Sequence, residues 1–133
     1  MGEQGPDDSG VVLAWHRAVI DRDAGAMLDL LAEDAVYHSP AGFAPQEGRD
    51  QTYAHISALL RVLGPAFRYV RTWVEDDGAV LEFKALVAEQ EVHGVELMEW
   101  NSDGLITHLS TMIRPTTPID PILTGMRAEL LRG

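Results

Sequence analysis

The sequence predicts an α+β domain: a curved, mostly antiparallel sheet wrapped round three N-terminal helices, with a short C-terminal helix after it. Two observations carry this. The first third places apolar residues at helical spacing around one strand-like run, Ala35-Val36-Tyr37-His38-Ser39. The second half holds four β-rich runs separated by Asp76-Asp77-Gly78, Glu89-Gln90-Glu91 and Asn101-Ser102-Asp103-Gly104, which are the turn signals of an antiparallel meander. A sheet bent round helices makes a cone, and the expectation is an apolar cavity into which a few polar side chains point.

Residues 1–9 are acidic and are expected to form a flexible tail. They have neither the basic start nor the apolar stretch of a signal peptide, and Pro6 stands where a myristoylation motif wants Ser or Thr. The first helix should open after Ser9 as N-cap and bury Val12, Trp15, Ala18 and Val19. Asp23 then caps a second helix over residues 24–32, with Met27, Leu28 and Leu31 on one face. A Gly- and Pro-rich loop over 40–48 leads to a third helix, 49–63, whose apolar face carries Tyr53, Ile56, Leu59, Leu60 and Leu63 before Gly64-Pro65 stops it. The meander strands are expected at 67–75, 79–88, 92–101 and 105–114. Asp120-Pro121 starts a last helix bearing Ile122, Leu123, Met126 and Leu130. The organisation read from this is one domain over 10–115, followed by a linker and helix over 116–133.

Composition narrows the function. With 21 acidic and 10 basic residues the formal charge is −11, which repels nucleic acid and anionic membrane surfaces. The chain has no cysteine, so it has no thiolate ligand, and its histidines lack helical or strand metal-site spacing; no metal and no cofactor are expected. No apolar run approaches the ~20 residues that span a bilayer, and the expected location is the cytoplasm. Both alternate sets in 92–100 carry large apolar groups: Val92, Met98 and Trp100 on one side, Val95 and Leu97 on the other. The outer sheet face therefore needs a cover. A second copy of the chain, in an isologous homodimer, is preferred to the C-terminal helix folding back.

The chain resembles the SnoaL-like branch of the nuclear transport factor 2-like superfamily, a cystatin-like cone. The resemblance rests on helix, helix and a strand carrying Asp34-Ala35-Val36-Tyr37-His38-Ser39-Pro40, then a Gly48-Arg49-Asp50 helix start. Val95-Glu96 ahead of Asp103-Gly104-Leu105-Ile106, and Met112-Ile113-Arg114-Pro115, complete it. It implies a pocket for a small apolar or amphipathic molecule and does not fix one activity, since the superfamily holds isomerases, hydrolases, cyclases and pure binding domains. Against its ketosteroid isomerases, Trp15 falls where an oxyanion-binding tyrosine is expected, Ser39 at the aspartate base, and Glu96 at a protonated acid. Against its limonene epoxide hydrolases, Glu82 and Lys84 reverse the order of an Arg-x-Asp pair, and Thr111 replaces the second acid.

Two catalytic candidates follow. Glu96 is expected to share the cavity face with Met98 and Trp100, where burial raises the pKa of a carboxyl. His38, at a strand end beside the pocket mouth, has the ordinary pKa of a proton shuttle but faces the cavity only if the strand kinks before Pro40. The expected pocket wall is Trp15, Tyr37, Ser39, Ile56, Leu60, Met98, Trp100, Leu109 and Thr111. Trp73 reads as a core residue. The function expected is acid–base chemistry of isomerase, hydrolase or cyclase type on a hydrophobic substrate, with non-catalytic ligand binding or a dimeric interaction module as the alternative.

Overall fold

The computed structural model describes residues 6–42, 44–115 and 119–132. The elements run α1 (Pro6–Ile20), α2 (Ala24–Leu30), β1 (Leu31–His38), β2 (Gln46–Glu47), α3 (Arg49–Leu63), β3 (Arg68–Val74), β4 (Gly78–Val87), β5 (Gln90–Trp100), β6 (Ile106–Arg114) and α4 (Ile119–Arg132). The sheet order is β2-β1-β6-β5-β4-β3. Neighbouring strands are antiparallel except β1 and β6, which run parallel. Among the described residues no helix is long and apolar enough to cross a membrane.

Local chemistry sets most boundaries. The Asp23 carboxylate accepts a hydrogen bond from the Ala26 N–H at 3.1 Å and opens α2. Gly48, at φ 98°, takes the Thr52 N–H on its carbonyl to open α3, and Gly64, at φ 75°, closes it by donating to the Leu60 carbonyl. Several expected boundaries move. The first helix begins at Pro6 rather than after Ser9. The second stops at Leu30, because Leu31 pairs with Ile106 and starts β1 four residues before Ala35. The 40–48 loop contains β2, whose Gln46 and Glu47 pair with Tyr37 and Val36. The β4–β5 hairpin turns at Ala88 and Glu89, both in the left-handed region at φ 53° and 66°, so Gln90 and Glu91 belong to β5.

Register separates two faces. Leu81, Phe83, Ala85, Met98 and Leu109 turn inward onto α1 and α3. A row crosses the outer face through the paired positions Trp73, Val80, Leu97 and Ser110, and a second row through Arg71, Glu82, Val95 and Met112. Trp73 is 50 % exposed under the Arg71 guanidinium, whose carbon lies 5.2 Å from the ring centre, which corrects its expected core position. Glu82 is held by Arg71 at 2.7 Å and His93 at 2.6 Å, partners that pull its carboxyl down to about 2. α4 does not fold back over this face: it packs along α3, where a Cβ on Gly125 would come within 2.9 Å of Val62.

Candidate functional site

Five elements bring polar side chains to one point inside the cone. Glu96, on β5, is only 4 % exposed. Its Oε1 accepts from the Trp15 indole N–H of α1 at 3.3 Å and from the Tyr69 hydroxyl of β3 at 2.8 Å. Both donors converge on one oxygen, which leaves Oε2 for a further partner. Beside Glu96, its register partner Thr111 on β6 shares a 2.8 Å hydrogen bond with the Tyr37 hydroxyl of β1. The His16 ring, one residue along α1 from Trp15, stacks on Tyr69 with 4.1 Å between ring centres. Its Nε2 is buried without a hydrogen-bond partner.

Burial dominates the electrostatics. It lifts the Glu96 carboxyl from an ordinary 4.5 to about 7, against the hydrogen bonds from Tyr69 and Trp15, which favour the ionised form. At neutral pH the carboxyl is therefore divided between its protonated and ionised forms. Burial also raises the Tyr69 and Tyr37 phenols, and the neighbouring Glu96 charge adds to both effects. Both stay neutral, and Tyr69 remains a donor to the carboxylate. Burial lowers the His16 pKa.

The expected pocket residues are distributed unevenly. Trp15, Tyr37, Thr111 and Glu96 form the polar cluster, with Met98 buried two residues along the same face. Ile56, Leu60 and Leu109 belong to the core around it. Ser39 instead sits under α4, where its hydroxyl accepts from the Ala41 N–H at 2.9 Å and lies 3.9 Å from the Met126 sulfur. Trp100 lines a separate depression with Val11, Leu30, Asp76 and Asp77. His38 is displaced from the site altogether. From Val36 the strand stays regular to its end, so His38 pairs with Ser110, faces outward and is exposed. Glu96 itself is buried, and the depressions at the cone rim and on the helical face are lined by other residues.

Neither Tyr69 nor His16 is among the site residues expected from the sequence. Alternation counted back from Trp73, which the structure turns outward, would carry Tyr69 outward as well. A bulge at Val70 breaks that count, because Tyr69 pairs with Phe83 while Arg71 pairs with Glu82, and the extra residue turns Tyr69 inward. Phe67, whose ring lies near those of both Tyr69 and Phe83, is the sequence signal that this end of β3 joins the core.

The model of the SnoaL-like domain matches residues 12–109, and the chain belongs to that family. No match is found among curated proteins. Among solved structures, a steroid delta-isomerase from Pseudomonas aeruginosa is 27 % identical with a TM-score of 0.88, over 95 % of this chain and 93 % of that one. A bacterial protein of cystatin-like fold from Silicibacter pomeroyi is 28 % identical with a TM-score of 0.85, over 91 % and 85 %. An NTF2-like protein from Mesorhizobium loti, 21 % identical with a TM-score of 0.72 over 86 % and 97 %, shares the fold.

Proposed function

We propose that this SnoaL-like chain is an enzyme that moves a proton on a small apolar substrate, with Glu96 as the proton carrier. The observation that carries the reading is a buried carboxyl poised near pH 7, gripped on one oxygen by Trp15 and Tyr69 and free on the other. The likeness to the Pseudomonas steroid delta-isomerase supports an isomerase-type reaction. In that reading the Glu96 carboxylate removes a proton from a carbon next to the substrate carbonyl and returns it elsewhere on the same skeleton. Tyr69 donates to the Glu96 carboxylate before the first transfer and after the second; between them Glu96 holds the proton as a neutral acid and the charge lies on the substrate enolate. Trp15 and Ser39 stand in place of a tyrosine and an aspartate, so Glu96 carries both transfers without a second acid.

The test is exchange of solvent deuterium into a panel of cyclic ketones and enones, followed by proton NMR. The parent should exchange α-protons with a pH profile centred near 7, and Glu96→Gln should exchange them ~100-fold more slowly or worse. Equal rates for the two proteins would remove Glu96 from the chemistry.

The reading includes a homodimer built on the outer sheet face and a cytoplasmic location. The dimer is supported by the rows around Leu97 and Val95, by Leu86 and Met112 at 51 % and 56 % exposure, and by α4 lying elsewhere. Light scattering should give the mass of two chains, and Leu97→Asp should give that of one with unchanged circular dichroism. A parent that scatters as one chain at micromolar concentration would contradict the dimer. The location rests on the −11 charge and on the described helices, none of which would span a bilayer.

A further inference from the structure

The acidic balance of this chain makes one surface unusual. Between the α1–α2 corner and α3 lies a depression of about 550 Å³ bounded by Arg22 and Arg61, with the Tyr53 and Ser57 side chains between them and Met27 and Leu60 beneath. No carboxylate lines it, although acids outnumber bases two to one in the chain. A second depression of about 600 Å³ shares Tyr53, Ser57 and Arg61 and adds Arg132. Its one acid, Glu129, is already taken by Arg61 at 2.7 Å and Arg132 at 3.6 Å.

Both guanidinium groups at the first depression are held but not saturated. Arg22 gives one N–H to the Gly64 carbonyl at 3.0 Å, lies 5.9 Å over the Phe67 ring, and meets no carboxylate among the described residues. Arg61 uses Nε for Glu129 and Nη1 for the Ser57 hydroxyl at 2.7 Å, so its Nη2 has no partner among the described residues. A planar fork fixed at its stem with donors left over is suited to an oxyanion. The backbone at Arg22 agrees. It occupies the left-handed position that ends α1, at φ 53°, with Arg22 and Asp23 donating to the Val19 and Ala18 carbonyls. This helix end fixes where the Arg22 side chain leaves the backbone, beside the Gly64 carbonyl that holds it.

We propose that this groove binds a small organic anion, a carboxylate or phosphate monoester whose head bridges Arg22 and Arg61 and whose apolar body lies on Met27 and Leu60. A free small molecule is the occupant the observations favour, because the site is concave and the chain as a whole repels an anionic bilayer. The site is on the helical face and does not rest on the role of Glu96.

The experiment is calorimetric titration of the full chain with octanoate, octyl phosphate and octanol. The two anions should bind and weaken with salt, while octanol, with the same tail, should bind roughly tenfold more weakly or not at all. Arg22→Gln and Arg61→Gln should each weaken the anions about tenfold and the double variant should abolish binding, whereas Arg68→Gln, on β3, should change nothing. Equal affinity for octanol and octanoate in the parent would overturn the proposal, as would undiminished octanoate binding by a folded double variant. Failure to bind either soluble anion, with sedimentation on phosphatidic acid vesicles, would overturn the free small-molecule assignment.

Discussion

Replacing Glu96 by Gln is expected to leave stability little changed near pH 4 and to raise it by on the order of 3 kcal/mol at pH 8. Below about pH 4.5 the carboxyl is protonated in both folded and unfolded chains, so its burial carries no ionisation cost. As pH rises towards 7, the unfolded chain releases the proton while the folded chain holds it, and native stability falls. Above the folded pKa of about 7 the full cost is present. Gln keeps a carbonyl oxygen for Trp15 and Tyr69 and never ionises. Urea unfolding of both proteins across that range measures the divergence, and parallel stability curves would show that Glu96 titrates as an ordinary surface acid.

The second large effect concerns Gly94, two residues before Glu96 on the same strand. A Cβ there would meet the Met112 carbonyl oxygen and, at 2.5 Å, the Cζ of Phe83, whose ring crosses β5 at that position. The obstruction includes β6 backbone, which cannot swing aside as a flexible side chain does. Gly94→Ala should cost about 3 kcal/mol or more and lower the thermal midpoint accordingly. Parent-like unfolding of this variant would mean that β5 and β6 are free to separate beside the site.

Much of the arrangement was legible because it depends on local signals. Gly48 and Gly64 mark both ends of α3, and turn residues separate the meander strands near their observed limits. Glu96 was legible for the same reason, since regular alternation through β5 carries it inward with Met98 and Trp100. What escaped depends on long-range pairing. The bulge at Val70, which turns Tyr69 onto Glu96, exists only in the register of β3 against β4. The outward turn of His38 follows from parallel pairing with β6, a strand some seventy residues later in the chain. The β4–β5 turn falls on Ala88 and Glu89, which lack the Asn or Gly that ordinarily announces two left-handed residues. The packing round Glu96 has a similar origin: how Trp15, Tyr37 and Phe83 fill the cone together is recorded by no single segment.

The central claim is that Glu96 is a buried acid poised to exchange its proton at neutral pH. Carbon-detected NMR of glutamate side-chain carboxyls tests it most directly, with the Glu96 resonance assigned by its disappearance in Glu96→Gln. A midpoint near 7 is expected, displaced from the ordinary 4.5. A midpoint at the ordinary value would contradict it.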